Sequence, residues 1–250
     1  MTLISRTRRL SRSATLNLLE EIGRLPGENA RSFFMSPGQE WTADPALPES
    51  VAGEIGAIMS DAPTGGALFW GNAGKFLVRP PFPIKETLRE TGYAVAPLRE
   101  MLSQDIRIAL VLVRLGAYAI GICRGEELLA SKVGTGLVHG RHKKGGSSQA
   151  RFRRHREKQI EAFLIRVGNH AREILEGEAR SLDYLVYGGA WTAVLELQKR
   201  SPFLQRLTVP TLPPLNDLPA PRRAVLEHAV GLVWTSRVTT WREESDGPGN

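Results

Sequence analysis

Residues 106–113, Ile-Arg-Ile-Ala-Leu-Val-Leu-Val, form a nearly continuous aliphatic run rich in β-branched side chains. Such a run reads as a central strand buried on both faces, which needs sheet neighbours on either side and a covering layer above and below. Leu115, Gly116 and Ala117 supply a turn, and residues 118–123, Tyr-Ala-Ile-Gly-Ile-Cys, form the strand that pairs back. The polar residues 124–127 give the next reversal, so a third strand of the meander is expected to begin near Leu128 and run toward Val133.

The segments C-terminal to this meander complete the layer. Ile160, Phe163, Leu164, Val167, Ala171, Ile174 and Leu175 keep helical spacing over several turns, the signature of a long amphipathic helix. Residues 182–187 read as a strand, Gly188 and Gly189 lead into a helix over 191–199, and residues 207–212 read as a last strand. Prolines punctuate the chain after that, and Val225, Leu226, Ala229, Val230 and Val233 indicate a terminal helix before a polar tail.

On the N-terminal side, a short basic arm is expected to precede an amphipathic helix over residues 14–25, ended by Pro26-Gly27. A brief apolar stretch comes next at 31–35, then a proline-rich loop, a second helix over 51–59 and a boundary near 61–66. Residues 67–70 and 75–78 flank Gly71-Asn72 in the pattern of a hairpin. The fold class implied is α/β, a mixed β-sheet covered by helices. The expected division is an N-terminal helical extension or subdomain over 1–62, a main domain over 63–212, and a C-terminal helix with polar tail over 213–250.

Composition narrows the setting. With 250 residues, 42% of them hydrophobic and 24% charged, the chain suits a globular protein with one sizeable core. A net charge of +7 and a pI near 9.9 favour an anionic partner. Cys123 is the only cysteine, which rules out an intramolecular disulfide and a multi-cysteine metal site and favours the cytosol. Arg6, Arg8, Arg9 and Arg12 among serines resemble a targeting segment, but Glu20 and Glu21 interrupt the apolar region that would have to come after them. No segment offers the roughly 20 apolar residues of a membrane span. A cytoplasmic protein without a membrane partner is expected.

The chemistry-bearing residues are concentrated between 132 and 158. Lys132, Arg141, Lys143, Lys144, Arg151, Arg153, Arg154, Arg156 and Lys158 lie there with three histidines, and Glu157 is the lone carboxylate. A single-sign block of this kind binds polyanions by neutralising phosphates and releasing counterions. A solvated basic helix face is the ordinary alternative. Gly134-Thr135-Gly136 offers amides for a phosphate or simply a turn. His139 and His142 suit either general acid/base work or plain RNA contact, whereas His155, His170 and His228 lack ligand-spaced partners and read as structural. No phosphate-binding loop ending in Gly-Lys-Ser/Thr, nucleophile elbow or paired-histidine zinc helix is present, so neither a metal nor a cofactor is implied.

Within the basic block lies Gly145-Gly146-Ser147-Ser148-Gln149. The glycines permit positive φ and close backbone approach, the serines keep the tip small, and the Gln149 amide can orient a water or stabilise an oxyanion without titrating. An ordinary loop whose glutamine opens a helix is the competing reading. The run Arg141-His142-Lys143-Lys144-Gly145-Gly146-Ser147-Ser148-Gln149, followed by Ala150-Arg151-Phe152-Arg153-Arg154, resembles the catalytic loop of the VLRF family, the Vms-like peptidyl-tRNA release factors, whose signature is Gly-x-x-Gln. That family is related to the middle domain of eukaryotic and archaeal class I release factors, and the resemblance covers roughly residues 66–212. It implies a release-factor middle-domain-like, RNase H-like architecture and a peptidyl-tRNA hydrolase acting with the ribosomal large subunit. In that reading Gln149 and Gly146 are catalytic, Gly145, Ser147 and Ser148 complete the loop, and Arg141, His142, Lys143, Lys144, Arg151, Arg153 and Arg154 contact RNA. Class I release factors place the glutamine directly after two glycines, whereas Ser147 and Ser148 intervene here. Two chemistries therefore stay open: hydrolysis of the peptidyl ester and cleavage at the tRNA acceptor end. A non-catalytic RNA- or ribosome-binding module is the third reading.

Overall fold

The computed structural model describes residues 3–42, 47–138 and 148–243. In chain order the strands and helices are β1 (Leu3–Leu10), α1 (Arg12–Gly23), β2 (Arg31–Met35), α2 (Glu49–Ser60), β3 (Gly66–Gly71), β4 (Gly74–Arg79), β5 (Leu88–Thr91) and α3 (Ala96–Ser103). Then come β6 (Arg107–Arg114), β7 (Ala117–Arg124), β8 (Glu127–Thr135), α4 (Ser148–Leu175), β9 (Tyr184–Gly189), α5 (Trp191–Arg200), α6 (Pro202–Arg206), α7 (Arg223–Val233) and β10 (Ser236–Glu243). The chain divides into two compact units, one of Met1–Gln104 with Trp234–Asn250 and one of Asp105–Val233.

The second unit contains the sheet that the aliphatic run demanded. Its order is β8-β7-β6-β9, with β6 antiparallel to β7 and parallel to β9, so the sheet is mixed. Residues 108–113 of β6 are fully buried, which confirms a strand covered on both faces. On one face Ala109, Val111 and Val113 join Ile120 and Ile122 of β7 against Phe163, Leu164, Val167, Ala171 and Leu175 of α4 and Val194 and Leu197 of α5. On the other, a Cβ on Gly121 would lie 3.0 Å from Leu226 of α7, so the glycine is what lets that helix approach the strand.

The first unit is built on a six-stranded antiparallel sheet of order β1-β10-β4-β3-β2-β5. One face packs on α2, with Phe33, Met35, Leu68, Leu77 and Trp241 against Val51, Ile55 and Met59. The Trp241 indole donates to Glu54 Oε2 at 2.8 Å, tying the last strand to that helix. The opposite face buries Phe34, Phe69, Val78 and Val238. At the start of α1, Ser11 accepts from the Ala14 amide and the Arg12 guanidinium lies 4.0 Å over the Trp234 ring while donating to the Leu102 carbonyl.

Three expectations change. Residues 3–10 are not a basic arm but an edge strand, recruited by backbone pairing to β10 over its full length. Residues 234–243 are not a polar tail, because Val238, Thr239, Thr240 and Trp241 are strand formers with a partner on each side. Residues 207–212 do not form a strand: the segment runs beside β9 through bridges at Thr211 and Leu215, and Pro210, Pro213 and Pro214 cannot donate to a ladder. The divisions expected at 62/63 and 212/213 consequently fall at 104/105 and 233/234, since the hairpin of β3 and β4 completes the first sheet and α7 packs on the second.

Gly189 at the end of β9 has φ +96°, and a Cβ there would stand 2.4 Å from the Val113 carbonyl oxygen, the same oxygen that accepts from the Ala190 amide. Gly189→Ala is expected to lose more than about 2 kcal/mol, from the left-handed backbone penalty and the clash together. Gly177→Ala, which meets open space, is expected to stay within about 0.5 kcal/mol of wild type. Urea denaturation monitored by circular dichroism compares the two.

Candidate functional site

The site is framed by the end of β8 and the start of α4, which bracket the Gly-Gly-Ser-Ser-Gln motif. Arg141, His142, Lys143, Lys144, Gly145, Gly146 and Ser147, with His139, lie outside the described residues. Ser148 and Gln149 are the first residues of α4. The structure thus places Gln149 in the opening turn of a 28-residue helix whose first turn contains no acidic residue. The positive end of the helix dipole adds there to the cationic side chains of the next turns.

The outgoing root is fixed by several contacts. The Gly136 amide donates to the Gly116 carbonyl at 3.0 Å, and Arg166 Nη2 of α4 donates to the Thr135 carbonyl at 3.0 Å. A Cβ on Gly134 would lie 2.5 Å from the Tyr118 hydroxyl, and one on Gly136 would lie 2.3 Å from Arg166 and 2.5 Å from Phe163. Packing thus explains both glycines. The alternative of a phosphate cradle at Gly134-Thr135-Gly136 finds no support, because the Gly136 amide is already engaged.

A second tie lies one turn deeper. Lys132 Nζ of β8 donates to Glu173 Oε2 of α4, and the same oxygen is 3.0 Å from His170 Nδ1. The His170 ring stacks on Tyr118 of β7 at 5.5 Å between centroids. These bonds to Lys132 and His170 hold the Glu173 carboxyl below its ordinary range. His170 is therefore a packing residue, in keeping with its expected structural role. His155, on the first half of α4, shares a 3.1 Å contact with the Gln159 amide.

α4 buries one of its halves more deeply than the other. From Phe163 to Leu175 its apolar stripe is buried, whereas Arg151–His155, Glu157 and Lys158 are exposed. Ile160 and Glu157 line a shallow cleft with Thr192, Ala193 and Glu196 of α5 and Leu115 of the β6–β7 turn. From Glu157 back to Gln149 the helix rises about 12 Å, and from Arg166 to Gln149 about 26 Å. Gln149 therefore lies in the first turn of a helix whose next turns are cationic. On this stretch Arg151 and Arg154 stand at i,i+3, and Arg154 and Lys158 at i,i+4. Such pairs repel by roughly 0.2–0.5 kcal/mol each. Against them stands Glu157, 3.8 Å from Arg153 in an exposed pair of little weight. Phe152, 61% exposed, interrupts the cations with an apolar ring. Among the described residues, no three His, Cys, Asp or Glu side chains are grouped to hold a metal ion, and no helix is long and apolar enough to cross a membrane.

The arginines expected to contact RNA at 151, 153 and 154 are brought together on one exposed helical stretch. The sequence reading missed Arg166 and Glu173, which with His170 hold the frame, although their spacing on one face of the long helix was available.

The model of the actinobacteria/chloroflexi VLRF1 release factor matches residues 106–239, more than half of the chain. The chain belongs to this family of release factors. Among curated relatives, peptide chain release factor subunit 1 of Aeropyrum pernix is 32% identical over 126 residues, spanning 47% of this chain and 34% of its own length. The same factor from Methanopyrus kandleri is 34% identical over 116 residues, covering 45% of this chain and 28% of that protein. The chain thus spans about a third of the length of the curated relatives it matches. A solved structure of an archaeal translation termination factor, aRF1, is similar at a TM-score of 0.36 and 21% identity, covering 84% of this chain and 66% of that one.

The Glu173 tie has a defined pH dependence. A carboxyl whose folded pKa is depressed contributes stability above its unfolded pKa and loses it as pH falls through the folded value. The melting temperature of wild type is expected to exceed that of Glu173→Gln at pH 6–7, and the gap is expected to close below about pH 4, the ordinary range of glutamate. A thermal-melt series from pH 7 to pH 3 on both proteins checks this.

Proposed function

We propose that this protein is a ribosome-associated release factor that cleaves peptidyl-tRNA on stalled ribosomes or large subunits, with Gln149 positioning the attacking water. One observation carries the reading: Gln149 lies in the first turn of α4, directly before an exposed arginine-rich stretch with a single carboxylate. A helix of that charge meets a polyanionic surface more readily than it rests on protein. Membership of a release factor family supports the same reading.

The chemistry rests on what a primary amide can do. Gln149 carries both a donor and an acceptor and does not titrate, so its contribution is geometric: it holds a water in line with the ester carbonyl or donates to the developing oxyanion. Placement of reactants accounts for about 7–11 kcal/mol in well-oriented systems. Gly145 and Gly146 allow the backbone to approach the tRNA end closely, while Arg141, His142, Lys143, Lys144, Arg151, Arg153 and Arg154 neutralise RNA phosphates. The remaining electrostatics of the reaction would come from the ribosome.

Two experiments test this reading. Peptide release from stalled ribosome–nascent-chain complexes is expected to fall at least 100-fold for Gln149→Ala with ribosome binding retained, and the tRNA product is expected to keep its terminal CCA. Unchanged release would leave only a binding module, and a shortened acceptor would assign the cut to a phosphodiester. Separately, replacing Arg151, Arg153 and Arg154 with glutamine is expected to weaken ribosome binding and to reduce the slope of log affinity against log salt by about three. Filter binding across a salt series reads that slope.

A further inference from the structure

The first unit carries a second concentration of arginine, unrelated in sequence to the Gln149 loop. On three adjacent strands of its sheet, Arg9 of β1 is directly opposite Arg237 of β10, and Arg237 is directly opposite Arg79 of β4. Residues paired in this way project from the same face, so three guanidinium side chains form one row across the sheet. With strands about 4.8 Å apart, the row is roughly 10 Å wide at the backbone.

The row is poorly compensated within the protein. Like charges directly opposite one another destabilise a sheet. Among the described residues, no carboxylate lies within ion-pair distance of Arg9, Arg79 or Arg237, and Asp61 acts on Arg79 only from farther away. Arg79 Nε is buried without a hydrogen-bond partner, an arrangement that costs free energy in the isolated chain. Burial and the neighbouring Arg237 both weaken the hold of Arg79 on its proton, with burial the larger cause. Arg9 and Arg237 are exposed.

β1 is the outermost strand of the sheet, so Arg9 ends the row at an open edge. Arg6, Arg8 and Arg242 occupy the alternate positions of β1 and β10 and project from the opposite face, apart from the row. Glu243 is the one carboxylate on β1, β10 and β4. Beside the row, the Thr7 and Thr239 hydroxyls are hydrogen-bonded at 2.8 Å, so the surface next to the guanidiniums is polar.

We infer that the Arg9–Arg237–Arg79 row is an RNA phosphate-backbone site on the first unit, distinct from the Gln149 loop and its helix. Charge complementarity selects the occupant. The site is made of arginine rather than lysine, and a planar guanidinium matches phosphate oxygens two at a time. Its width at the backbone suits a chain of phosphates, which satisfies the three guanidiniums together and removes their mutual repulsion. Acidic protein is the competing polyanion. Its carboxylates sit on separate side chains and lack the regular, closely spaced charge of a phosphodiester strand.

The test isolates this surface from α4. In the full-length chain carrying glutamine at 151, 153 and 154, binding of a fluorescein-labelled RNA hairpin is compared with and without Arg9→Gln and Arg237→Gln, across a salt series. The pair of substitutions is expected to lower the remaining affinity by about tenfold and to make the salt slope shallower by about two. Both side chains are exposed, so an unchanged melting temperature is expected, and the two single variants provide the same reading if the double variant is unstable. Unaltered affinity and slope would overturn the proposal. Equal displacement of the hairpin by polyglutamate at matched charge would overturn the RNA assignment, and equal displacement by inorganic phosphate at matched phosphate would overturn the requirement for a backbone. Peptide release by Gln149 is read in a separate assay, so either reading can fail without the other.

Discussion

The docking of one half of α4 against the mixed sheet is the interaction on which the functional geometry depends. Phe163, Leu164, Val167, Ala171 and Leu175 enter the core between β6, β7 and α5, and each large side chain buried there stabilises the unit by about 1.5–3 kcal/mol. The described side chains of the other half, from 151 to 160, are exposed or half-buried. Because helix hydrogen bonds are internal, the course of the docked half carries through to the first turn. Where Gln149 stands is therefore decided many residues away, by the apolar stripe and by the bonds from Arg166 and Glu173 to β8.

Charge works against the isolated fold in both units. The start of α4 sets cations at i,i+3 and i,i+4 with one carboxylate nearby, and the first sheet aligns three arginines across three strands. Stability alone would disperse these groups or pair them. Elsewhere on the same helix the chain does pair its charges, as with Arg172 and Glu176, and α5 does so with Arg200 and Glu196. Among the described residues, these two surfaces concentrate cations with few carboxylates beside them.

The second unit was largely legible in the sequence because its signals are local. A fully apolar run, a short turn, a second apolar run and a helical stripe each announce themselves within ten to twenty residues, and β6, β7, β8 and α4 arise from them with bounds shifted by a few residues. The motif at Gln149 was legible for the same reason. β1 and β10 were not: Leu3–Leu10 carries cations on both faces and lacks a strand's alternation, and its partner lies more than 220 residues away. The extended segment at 207–212 erred in the other direction, since its apolar residues suggested a strand that neighbouring prolines forbid.

The sequence by itself determined the mixed sheet around residues 106–113, the helix after the basic block, and the Gly-x-x-Gln signature at its start. Each of these rests on side-chain pattern, which is written in consecutive residues. Tertiary structure alone decided that the first and last described strands share one sheet, that Arg9, Arg237 and Arg79 form a row, and that α4 buries its second half while residues 151–155 stay exposed. Those depend on strand register and on which half of a helix finds a surface to bury, and register joins residues that no local pattern relates.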